Sequence, residues 1–470
     1  MESMLANAEI VRRFLELKYQ VHPDVVSYIR EQNDPTLIDR IAAGVPGDTL
    51  VVSAEHIPGL RKVRDGTRFL VDPELEVITG SAGATGSVSG HEDAVHYFRD
   101  RYRNLSSMIR GRMTAMPIEA LVKSPHRYRD EECNIIGMVA DARTTAKGHR
   151  LVEMEDPTGA IRVLFNKGRG DTFVEAERIL PDEVLGVKGK LSNDGGLFFA
   201  EQLFRPDVPI NNAPFKSDRP GKAVLISDVH VGSDTFLEEG WNRFADWLQD
   251  SDAGYLLIAG DLVDGIGIYP GQENELTIKN IYEQYDAFAE MLRDIPSRIQ
   301  IVAAPGNHDV VRMAEPQPAI PPEFTGKFPS NCTLVENPCL LNLQGVRVLM
   351  YHGRSIDDMI GLIPGASYER PGEIMEEMLK RRLLASPYGM RTPIAAMKTD
   401  RLVIDPLPEI LLTGHVHICG ITRYRGVLGV NAGTWQSQTA FQKQMNINPT
   451  PARAFVIDLQ TLQPEVMDFS

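Results

Sequence analysis

The segment Leu225–Gly232 reads L-I-S-D-V-H-V-G and governs how the rest of the chain is interpreted. An apolar run ends there in Asp228 and His230, which are two residues apart and therefore point the same way at the exit of a strand. Four further clusters of oxygen or nitrogen ligands follow later hydrophobic runs, and together the five clusters indicate a site for two metal ions. The later clusters are G-D-L-V-D-G (260–265), P-G-N-H-D (305–309), Y-H-G (351–353) and T-G-H-V-H (413–417).

From Ala223 onward, apolar runs alternate with amphipathic helical patterns. Trp241–Leu248 and Asn280–Ile295 have the helical spacing. Continuous apolar strands separated by helices predict an α/β sheet covered on both faces, and Gly426–Val430 and Ala454–Leu459 are predicted to form a second sheet. The strand candidates are Ala223–Ile226, Tyr255–Ala259, Ile299–Ala304, Val346–Met350 and Glu409–Leu412.

The ligand clusters stand where an α/β sheet places its sites, outside the carboxyl ends of strands. A single Asp after a strand is most often a helix cap, and a single buried His is most often a hydrogen-bonded core residue. Five such clusters, each beside glycine or small residues, exceed what chance would give. A pair of divalent ions needs a bridging carboxylate, and Asp261 is predicted to supply it. Asp228, His230 and His417 are assigned to one metal, and Asn307, His352 and His415 to the other.

His308 lies directly after the proposed ligand Asn307, so backbone alternation is expected to turn its side chain toward the substrate. This makes His308 the candidate acid, or stabiliser of the transition state, at the leaving oxygen. Asp309 is predicted to hold the His308 ring. Mixed nitrogen and oxygen ligands suit Mn, Fe or Zn.

The chain before this region divides into three parts. Residues 1–75 are predicted to form a small helical domain with a docking role. Residues 76–114 comprise a Gly/Ser-rich flexible linker (80–90) and a basic helix (96–112). The arginines of that helix fit a solvated charged face and fit a phosphate- or partner-binding segment, and the sequence does not decide between them.

Residues 115–212 have the pattern of an oligonucleotide-binding (OB) fold, a small β-barrel. Five short strands are predicted, with the helix Asp171–Leu180 between the third and the fourth. Such barrels often bind single strands through aromatic side chains on strands two and three, but few aromatic candidates stand there. A scaffold or interface role is at least as well supported. The strands are 134–140, 150–155, 160–165, 184–191 and 197–203, and residues 213–470 then form the metal-site domain.

Bulk properties narrow the possible functions. The 470 residues carry a formal charge of −15, which argues against a protein that coats nucleic acid over its whole surface. The four cysteines form no C-x-x-C pair, so neither a zinc knuckle nor a disulfide framework is predicted. No signal peptide or apolar stretch of ~18 residues is evident, so a soluble, cytoplasmic protein with no membrane partner is expected.

The motifs D-x-H, G-D, G-N-H-D, H-G and G-H-x-H resemble, in this order, those of the calcineurin-like metallophosphoesterase superfamily over residues 222–440. Many members carry Glu where this chain has Asp309. The preceding OB barrel and the segment M-L-K-R-R-L-L-A-S-P-Y-G-M-R-T-P-I (378–394) resemble the small subunits of archaeal D-family DNA polymerases, over about residues 95–470. Overall, an α/β (α+β multidomain) protein is expected, with a two-sheet metallophosphoesterase domain behind an OB barrel and a helical N-terminal domain.

This resemblance implies a proofreading 3′→5′ exonuclease with two divalent metal ions, Mn foremost and Mg, Fe or Zn as alternatives. It also implies two partners: a large subunit that carries DNA synthesis, and DNA, either single-stranded or primer–template. Two other functions stay open, a stand-alone phosphoesterase (a repair nuclease or nucleotide phosphatase) and a non-catalytic assembly subunit. The proline-rich segment Arg312–Asn331 is interpreted as a lid, a partner-binding loop or a surface excursion.

Overall fold

The computed structural model describes residues 7–32, 36–45, 51–53, 57, 60–62, 69–81, 90–128, 131–444 and 446–470. Its helices are α1 (Asn7–Glu16), α2 (Pro23–Gln32), α3 (Thr36–Gly44), α4 (Gly90–Arg110), α5 (Ile118–Lys123), α6 (Gly170–Glu177), α7 (Glu238–Asp250), α8 (Ile281–Arg293), α9 (Pro322–Thr325), α10 (Ile356–Leu362), α11 (Pro371–Arg381) and α12 (Ala440–Gln444). Its strands are β1 (Gln20–Val21), β2 (Val51–Val52), β3 (Leu60–Lys62), β4 (Phe69–Val71), β5 (Leu75–Ser81), β6 (Glu132–Thr144), β7 (Arg150–Asp156), β8 (Gly159–Phe165), β9 (Val184–Leu191), β10 (Phe198–Phe204), β11 (Lys222–Ile226), β12 (Tyr255–Ala259), β13 (Gln300–Ala304), β14 (Cys332–Leu343), β15 (Val346–Met350), β16 (Ile410–Thr413), β17 (Gly420–Tyr424), β18 (Val427–Asn431), β19 (Arg453–Asp458) and β20 (Gln463–Asp468).

The N-terminal helices α1, α2 and α3 pack around a small apolar core of their own. Ile10 and Phe14 on α1 meet Val25 and Ile29 on α2 and Ile41 on α3. The helical spacing of these residues in the sequence is therefore the spacing of a buried stripe. The helical character predicted for this part of the chain is present in all three segments.

The structure describes only part of the flexible linker that was predicted at residues 80–90. Residues 82–89 lie outside the described residues. Residues 75–81, by contrast, form strand β5, which pairs antiparallel with β14 in the large sheet. The prediction of a linker is therefore wrong for residues 80 and 81, because the pairing partner of β5 lies more than 250 residues further along the chain and leaves no local pattern.

The predicted five-stranded barrel is confirmed. Strands β6 to β10 close in the order β6–β7–β8–β10–β9, with β9 returning to β6. Helix α6 lies between the third and fourth strands along the chain, as predicted. Inward-facing residues such as Val139, Val152, Val163 and Phe198 fill the interior. Alternation along each strand therefore sets which side chains form this core.

The outer face of strands β7 and β8 is acidic and carries no exposed aromatic ring. Glu153 and Glu155 on β7 are exposed beside Arg162 on β8, and Phe165 is buried in the barrel. Single-strand binding by stacking needs aromatic faces that are open to solvent. The β7–β8 face therefore offers no aromatic ring for stacking, whereas Phe199 on the neighbouring strand β10 is 44% exposed.

The large sheet has the strand order β17–β18–β16–β15–β14–β13–β12–β11–β19–β20, and β5 also pairs with β14. Strand β14 changes partners midway, because residues 332–334 pair with β13 and residues 339–343 pair with β15 and β5. The sheet therefore has two halves. Leu225 from one half and Leu412 from the other belong to the same buried cluster, so the halves pack face to face.

Helices cover the outer faces of both halves. Val224 and Ile226 of β11 pack with helices α7 and α8, and Leu411 of β16 packs with α10 and α11. The prediction that residues 426–430 and 454–459 form one separate second sheet is wrong. Strand β18 lies beside β16, whereas β19 pairs antiparallel with β11 in the opposite half. A continuous apolar run predicts that a strand is buried, but it does not predict which strand lies beside it.

The basic helix α4 uses its central arginine inside the protein. Arg101 is fully buried and its Nε lies 2.6 Å from the Asp400 carboxylate, while its Nη2 donates to the Tyr97 hydroxyl. Arg112 donates to the backbone carbonyl of Asp207 at 2.9 Å. Neither the solvated face nor the phosphate-binding segment predicted for this helix describes Arg101, because a buried charge requires a partner.

The proline-rich segment 312–331 is packed into the domain. Glu315 and Gln317 are buried, and Gln317 forms an isolated bridge with Asn337 of β14. The Gln317 amide also donates to the Gly306 carbonyl at 3.0 Å, directly beneath the G-N-H-D motif. The interpretations of this segment as a lid or a surface excursion are therefore wrong for the part around Gln317. Of the helices in the described ranges, none is long and apolar enough to cross a membrane.

Candidate metal centre

The predicted ligands lie at strand ends where the backbone is strained. Five of the seven have a left-handed backbone, a conformation that residues other than glycine rarely adopt. Such residues cost about 1–3 kcal/mol each and persist where the surrounding structure fixes them, most often at functional sites. Their φ angles are 53° for Asp228, 55° for His230, 50° for Asp261, 69° for His415 and 60° for His417.

The first cluster contains Asp228, His230 and His417. The Nε2 atoms of the two histidines lie 3.1 Å apart, and His417 Nε2 lies 3.3 Å from Asp228 Oδ1. All three side chains are at least nine-tenths buried. The three residues assigned to one metal from the sequence are therefore brought together, although they come from positions almost 190 residues apart in the chain.

The second cluster contains Asn307, His352 and His415 beside Asp261. His352 Nε2 lies 3.0 Å from Asn307 Oδ1 and 3.3 Å from Asp261 Oδ2. Asp261 Oδ2 is also 3.7 Å from His230 Nε2 of the first cluster. His415 has a ring nitrogen within 4.8 Å of the ligand atoms of Asp261 and His352. The Asp261 carboxylate therefore lies between the two clusters, as a bridging ligand must.

Two glycines allow the clusters to come this close. A Cβ on Gly306 would lie 2.2 Å from Asp261 Oδ1, and a Cβ on Gly414 would lie 2.3 Å from Asp228 Oδ2. Both separations are far below van der Waals contact. The glycines in G-N-H-D and T-G-H-V-H are therefore needed for packing against the carboxylates.

The first cluster fits a cation. Asp228 Oδ1 is buried and has no hydrogen-bond partner in the described part of the chain. Two imidazole nitrogens converge on the same point at 3.1 Å from each other. Ligand atoms about 2.0–2.2 Å from a metal lie roughly 3.0–3.4 Å apart, which matches these separations. The donors, nitrogen and carboxylate or amide oxygen, suit Mn, Fe, Zn or, with the oxygens, Mg.

The electrostatics of the centre also favour a positive charge. Burial lowers the pKa of His230, but the Asp228 and Asp264 carboxylates outweigh it and raise the pKa to about 10. Burial likewise opposes the charge on His352, whose pKa the Asp261 carboxylate raises to about 10. Histidines bind metals in the neutral form, so a metal ion would displace these two protons and take over their charge.

The nitrogens of the candidate ligand rings that do not face the clusters are also held by hydrogen bonds. Such partners fix ring orientation and tautomer, and they are typical of metal-binding histidines. Asp264, Asp357 and Gln442 were not predicted from the sequence; only Asp264 stood in a quoted motif, G-D-L-V-D-G. The contacts to acceptors are His230 Nδ1 to Asp264 Oδ1 at 3.0 Å, His352 Nδ1 to the Ala259 carbonyl at 2.9 Å and His415 Nε2 to Asp357 Oδ2 at 3.1 Å. His417 Nδ1 instead accepts from the Gln442 amide N–H at 2.7 Å, because the Gln442 oxygen accepts from the Thr439 N–H, so this contact orients the ring without setting its tautomer for a metal at Nε2.

His308 lines the cavity, but Asp309 does not hold its ring. The His308 Nδ1 lies 2.7 Å from the backbone carbonyl of Asp264, which can only accept, so Nε2 is left for the cavity. The Asp309 carboxylate instead accepts from the backbone N–H of Gly306 and from the Tyr285 hydroxyl, both at 2.8 Å. That prediction is therefore wrong: Asp309 fixes the backbone of the G-N-H-D turn. Burial and the nearby Asp261 charge raise its pKa to about 7.

The clusters open into a cavity of about 370 Å³. His230, Asp261, His308, His415 and His417 lie on its wall. Residues of the loop after β12, such as Tyr269, and of the segment after α10, such as Tyr368, form the remaining sides. The cavity is large enough for a nucleotide-sized group next to the candidate ligands.

We expect Asp264→Asn to weaken Mn²⁺ binding about tenfold to a hundredfold, the range typical for partners of ligand histidines. Asp264 holds His230 and is itself fixed by the Gln272 and Gln436 amides at 2.9 and 3.0 Å. The measurement is calorimetric titration of the metal-free chain with Mn²⁺. Asp234→Asn is the matched control, because Asp234 is exposed and its replacement removes the same charge from a nearby position in the chain. Equal Mn²⁺ affinity in both variants would contradict this role of Asp264.

The chain is similar to known DNA polymerase subunits. The family of B subunits of DNA polymerases alpha and epsilon matches residues 223–418, which contain every candidate ligand. The DNA polymerase II small subunit of Halobacterium salinarum is 43% identical over 88% of this chain and 81% of its own length. Those of Methanothermobacter thermautotrophicus and Archaeoglobus fulgidus are 42% and 39% identical over 98% and 96% of this chain, covering 100% and 95% of their own lengths. The chain belongs to the family of archaeal (D-family) DNA polymerase II small subunits.

Proposed function

We propose that this chain is the proofreading subunit of its polymerase, a metal-dependent 3′→5′ exodeoxyribonuclease. Its substrate would be the terminal phosphodiester of single-stranded or mismatched DNA. The observation that carries the proposal is the convergence of two ligand clusters on Asp261, 3.3 Å from His352 and 3.7 Å from His230, at the wall of a cavity. An assembly subunit without catalytic function would not need this arrangement.

The ligand set has the composition that two-metal phosphodiesterases require. Asp228, His230 and His417 would hold one ion, and Asn307, His352 and His415 the other, with Asp261 shared. Two divalent ions in such a site offset the negative charge of the phosphate and lower the pKa of the attacking water. The catalytic domain would be of the calcineurin-like metallophosphoesterase type.

His308 would donate a proton to the departing 3′-oxygen. The Asp264 carbonyl at 2.7 Å from Nδ1 orients the ring so that Nε2 faces the cavity. Because Nδ1–H donates to the Asp264 carbonyl, Nε2 carries a proton to donate only in the imidazolium form of His308. Burial lowers the His308 pKa, against the opposing effect of Asp261, so that imidazolium loses its proton readily. A group that gives up its proton readily is suited to act as an acid toward an alkoxide leaving group.

The relatives are named as small subunits, so we propose a large subunit that carries DNA synthesis as the partner of this chain, with primer–template DNA as the shared substrate. The five-stranded barrel, in this proposal an OB fold, would serve mainly as a scaffold for that assembly. Its acidic β7–β8 face, with Glu153 and Glu155 exposed, supports an interface role over single-strand binding.

The test is digestion of a 5′-labelled primer with a mismatched 3′ end on a template, with Mn²⁺, by the full chain alone and with its copurified large subunit. We expect shortening from the 3′ end that stops on addition of a chelator. Mononucleotides and a phosphoprotein serve as competing substrates. Preferential hydrolysis of those would favour a different phosphoesterase, and no metal-dependent turnover in either form would contradict the proposal and leave assembly as the role.

A further inference from the structure

The wall of the cavity that holds the candidate ligands also carries one positive side chain. Among the residues that the structure describes, Arg391 is the only lysine or arginine that lines the cavity. Carboxylates dominate the rest of the lining, with Asp261, Asp264, Asp357 and Glu275 present. The Arg391 guanidinium is therefore the one basic group of this lining that could offset the negative charge of a phosphate bound beside the candidate ligands.

The backbone beneath Arg391 is fixed, whereas its side chain is available. The Arg391 and Thr392 N–H groups donate to the two oxygens of Asp358, at 3.0 and 2.9 Å, and Asp358 is 4% exposed. Asp358 stands in the first turn of α10, next to Asp357, which contacts His415. The Arg391 guanidinium is exposed to solvent and forms no salt bridge with the described residues, although its charge acts on the nearby Asp357 carboxylate. The residue is thus anchored through its backbone, and its guanidinium is open to a further anionic partner.

Tyr368 separates this cavity from a second one. Its ring lines both, its side chain is half-buried, and its hydroxyl interacts with Asp357. The second cavity has a volume of about 380 Å³ and combines apolar side chains with hydrogen-bonding groups and one carboxylate, that of Glu369. Its lining includes Ile360, Ile418, Ile447, Ser367, Asn446 and Asn448.

We propose that Arg391 and Tyr368 form the subsite for the terminal nucleotide of the DNA strand. Arg391 pairs with a phosphate of that strand, since guanidinium matches phosphate in charge and geometry. The base enters the second cavity and stacks on Tyr368, as bases stack on aromatic rings in single-strand sites. This inference rests on the proposed nuclease function and extends it to substrate choice. A base seated there cannot stay paired with a template, so frayed and mismatched ends are selected.

The phosphate contact is tested by DNA affinity, which requires no turnover. A fluorescent single-stranded oligodeoxynucleotide is titrated with the full-length His308→Ala chain in Mn²⁺. Adding Arg391→Ala should raise Kd about tenfold and reduce the slope of log Kd against log salt by about 0.7, the value for one phosphate contact on a single strand. Lys398→Ala, an exposed cation on the same segment, is the matched control. A Kd within twofold of the parent, or an equal loss in the Lys398→Ala chain, overturns the assignment.

The base contact is tested by a double-mutant cycle that combines a change in the protein with a change in the DNA. Tyr368→Ala and an abasic 3′-terminal nucleotide should each weaken binding roughly 5- to 150-fold, the range of one stacked base. Both changes together should cost no more than one alone, because they remove the same contact. Tyr368→Phe, which keeps the ring, should restore most of the affinity. Additive losses, or the same loss with an internal abasic site, overturn the proposal.

The affinity measurements and the cleavage measurements test separate proposals. Thermal melting of each variant shows whether the fold is retained, so a loss of affinity in a folded chain reports the subsite. A chain that binds through Arg391 and Tyr368 but cleaves no DNA would contradict the nuclease proposal and support this subsite. If the wild-type chain cleaves DNA but neither the Arg391→Ala nor the Tyr368→Ala change alters DNA affinity, the nuclease proposal is supported and the subsite is contradicted.

Discussion

Replacement of His308 by alanine should lower the rate of DNA hydrolysis about 10²–10⁴-fold, the usual contribution of a general acid, while Mn²⁺ content stays at the wild-type level. The His308 ring faces the cavity and packs edge to face on His230, with 4.7 Å between the ring centroids, and its backbone N–H donates to Asp261 Oδ1 at 2.8 Å. Alanine keeps that backbone contact. The measurements are single-turnover cleavage of labelled single-stranded DNA and metal analysis of the purified chain.

A second substrate separates acid catalysis from simple positioning. A nitrophenyl ester of a nucleotide has a leaving group that needs no proton, so His308→Ala should slow its hydrolysis far less than that of DNA. His126→Ala, which changes an exposed histidine of the barrel domain, is the control. His308 also lies close enough to His230 and Asp261 to share a metal with them. Loss of metal from the variant would therefore show that His308 is a ligand and contradict its role as the acid.

The positions of the ligands were predictable because the buried strands that precede them leave a clear signal. Strands β11, β12 and β13 are covered on both faces, so they appear in the sequence as continuous apolar runs with abrupt ends. Polar residues at those ends, such as Asp228 and Asp261, cannot belong to the core pattern. The sequence therefore predicted both the strand ends and the candidate ligands that the structure brings together.

Strand β14 was not predicted, because its middle contains Glu336, Asn337 and Pro338. Such residues break an apolar run, and burying them costs free energy unless each polar group has a partner. The partners come from distant segments: Arg401 lies 2.5 Å from Glu336, and the Asn337 amide donates to Gln317 at 2.7 Å. No local pattern encodes these contacts.

The same reason explains the errors around the site. The interpretation of Asp309 as the holder of His308 followed from sequence adjacency, whereas the Asp264 carbonyl occupies that place through a contact between two loops. Asp357 and Gln442 hold ligand rings from elements far along the chain. Residues that orient a ligand do so by tertiary contact, so spacing within one motif cannot reveal them.

Asp261→Ala should have a larger effect than His308→Ala, because it removes the carboxylate that both ligand clusters share. Asp261 Oδ2 faces His352 at 3.3 Å and His230 at 3.7 Å. Without it, each ion of a two-metal site loses a ligand and the charge that offsets its own. We expect metal content to fall from about two ions per chain to below one, and nuclease activity to fall below detection.

Thermal melting gives a readout of this loss that is independent of catalysis. A ligand that binds only the folded state stabilises it by RT ln(1 + [L]/Kd), about 2.7 kcal/mol at a hundredfold excess over Kd. Mn²⁺ should therefore raise the Tm of the wild-type chain and leave that of Asp261→Ala nearly unchanged. Asp234→Asn should respond like the wild type, since Asp234 is an exposed carboxylate outside the clusters. Full nuclease activity in a metal-depleted Asp261→Ala chain would mean that hydrolysis does not depend on a shared metal site.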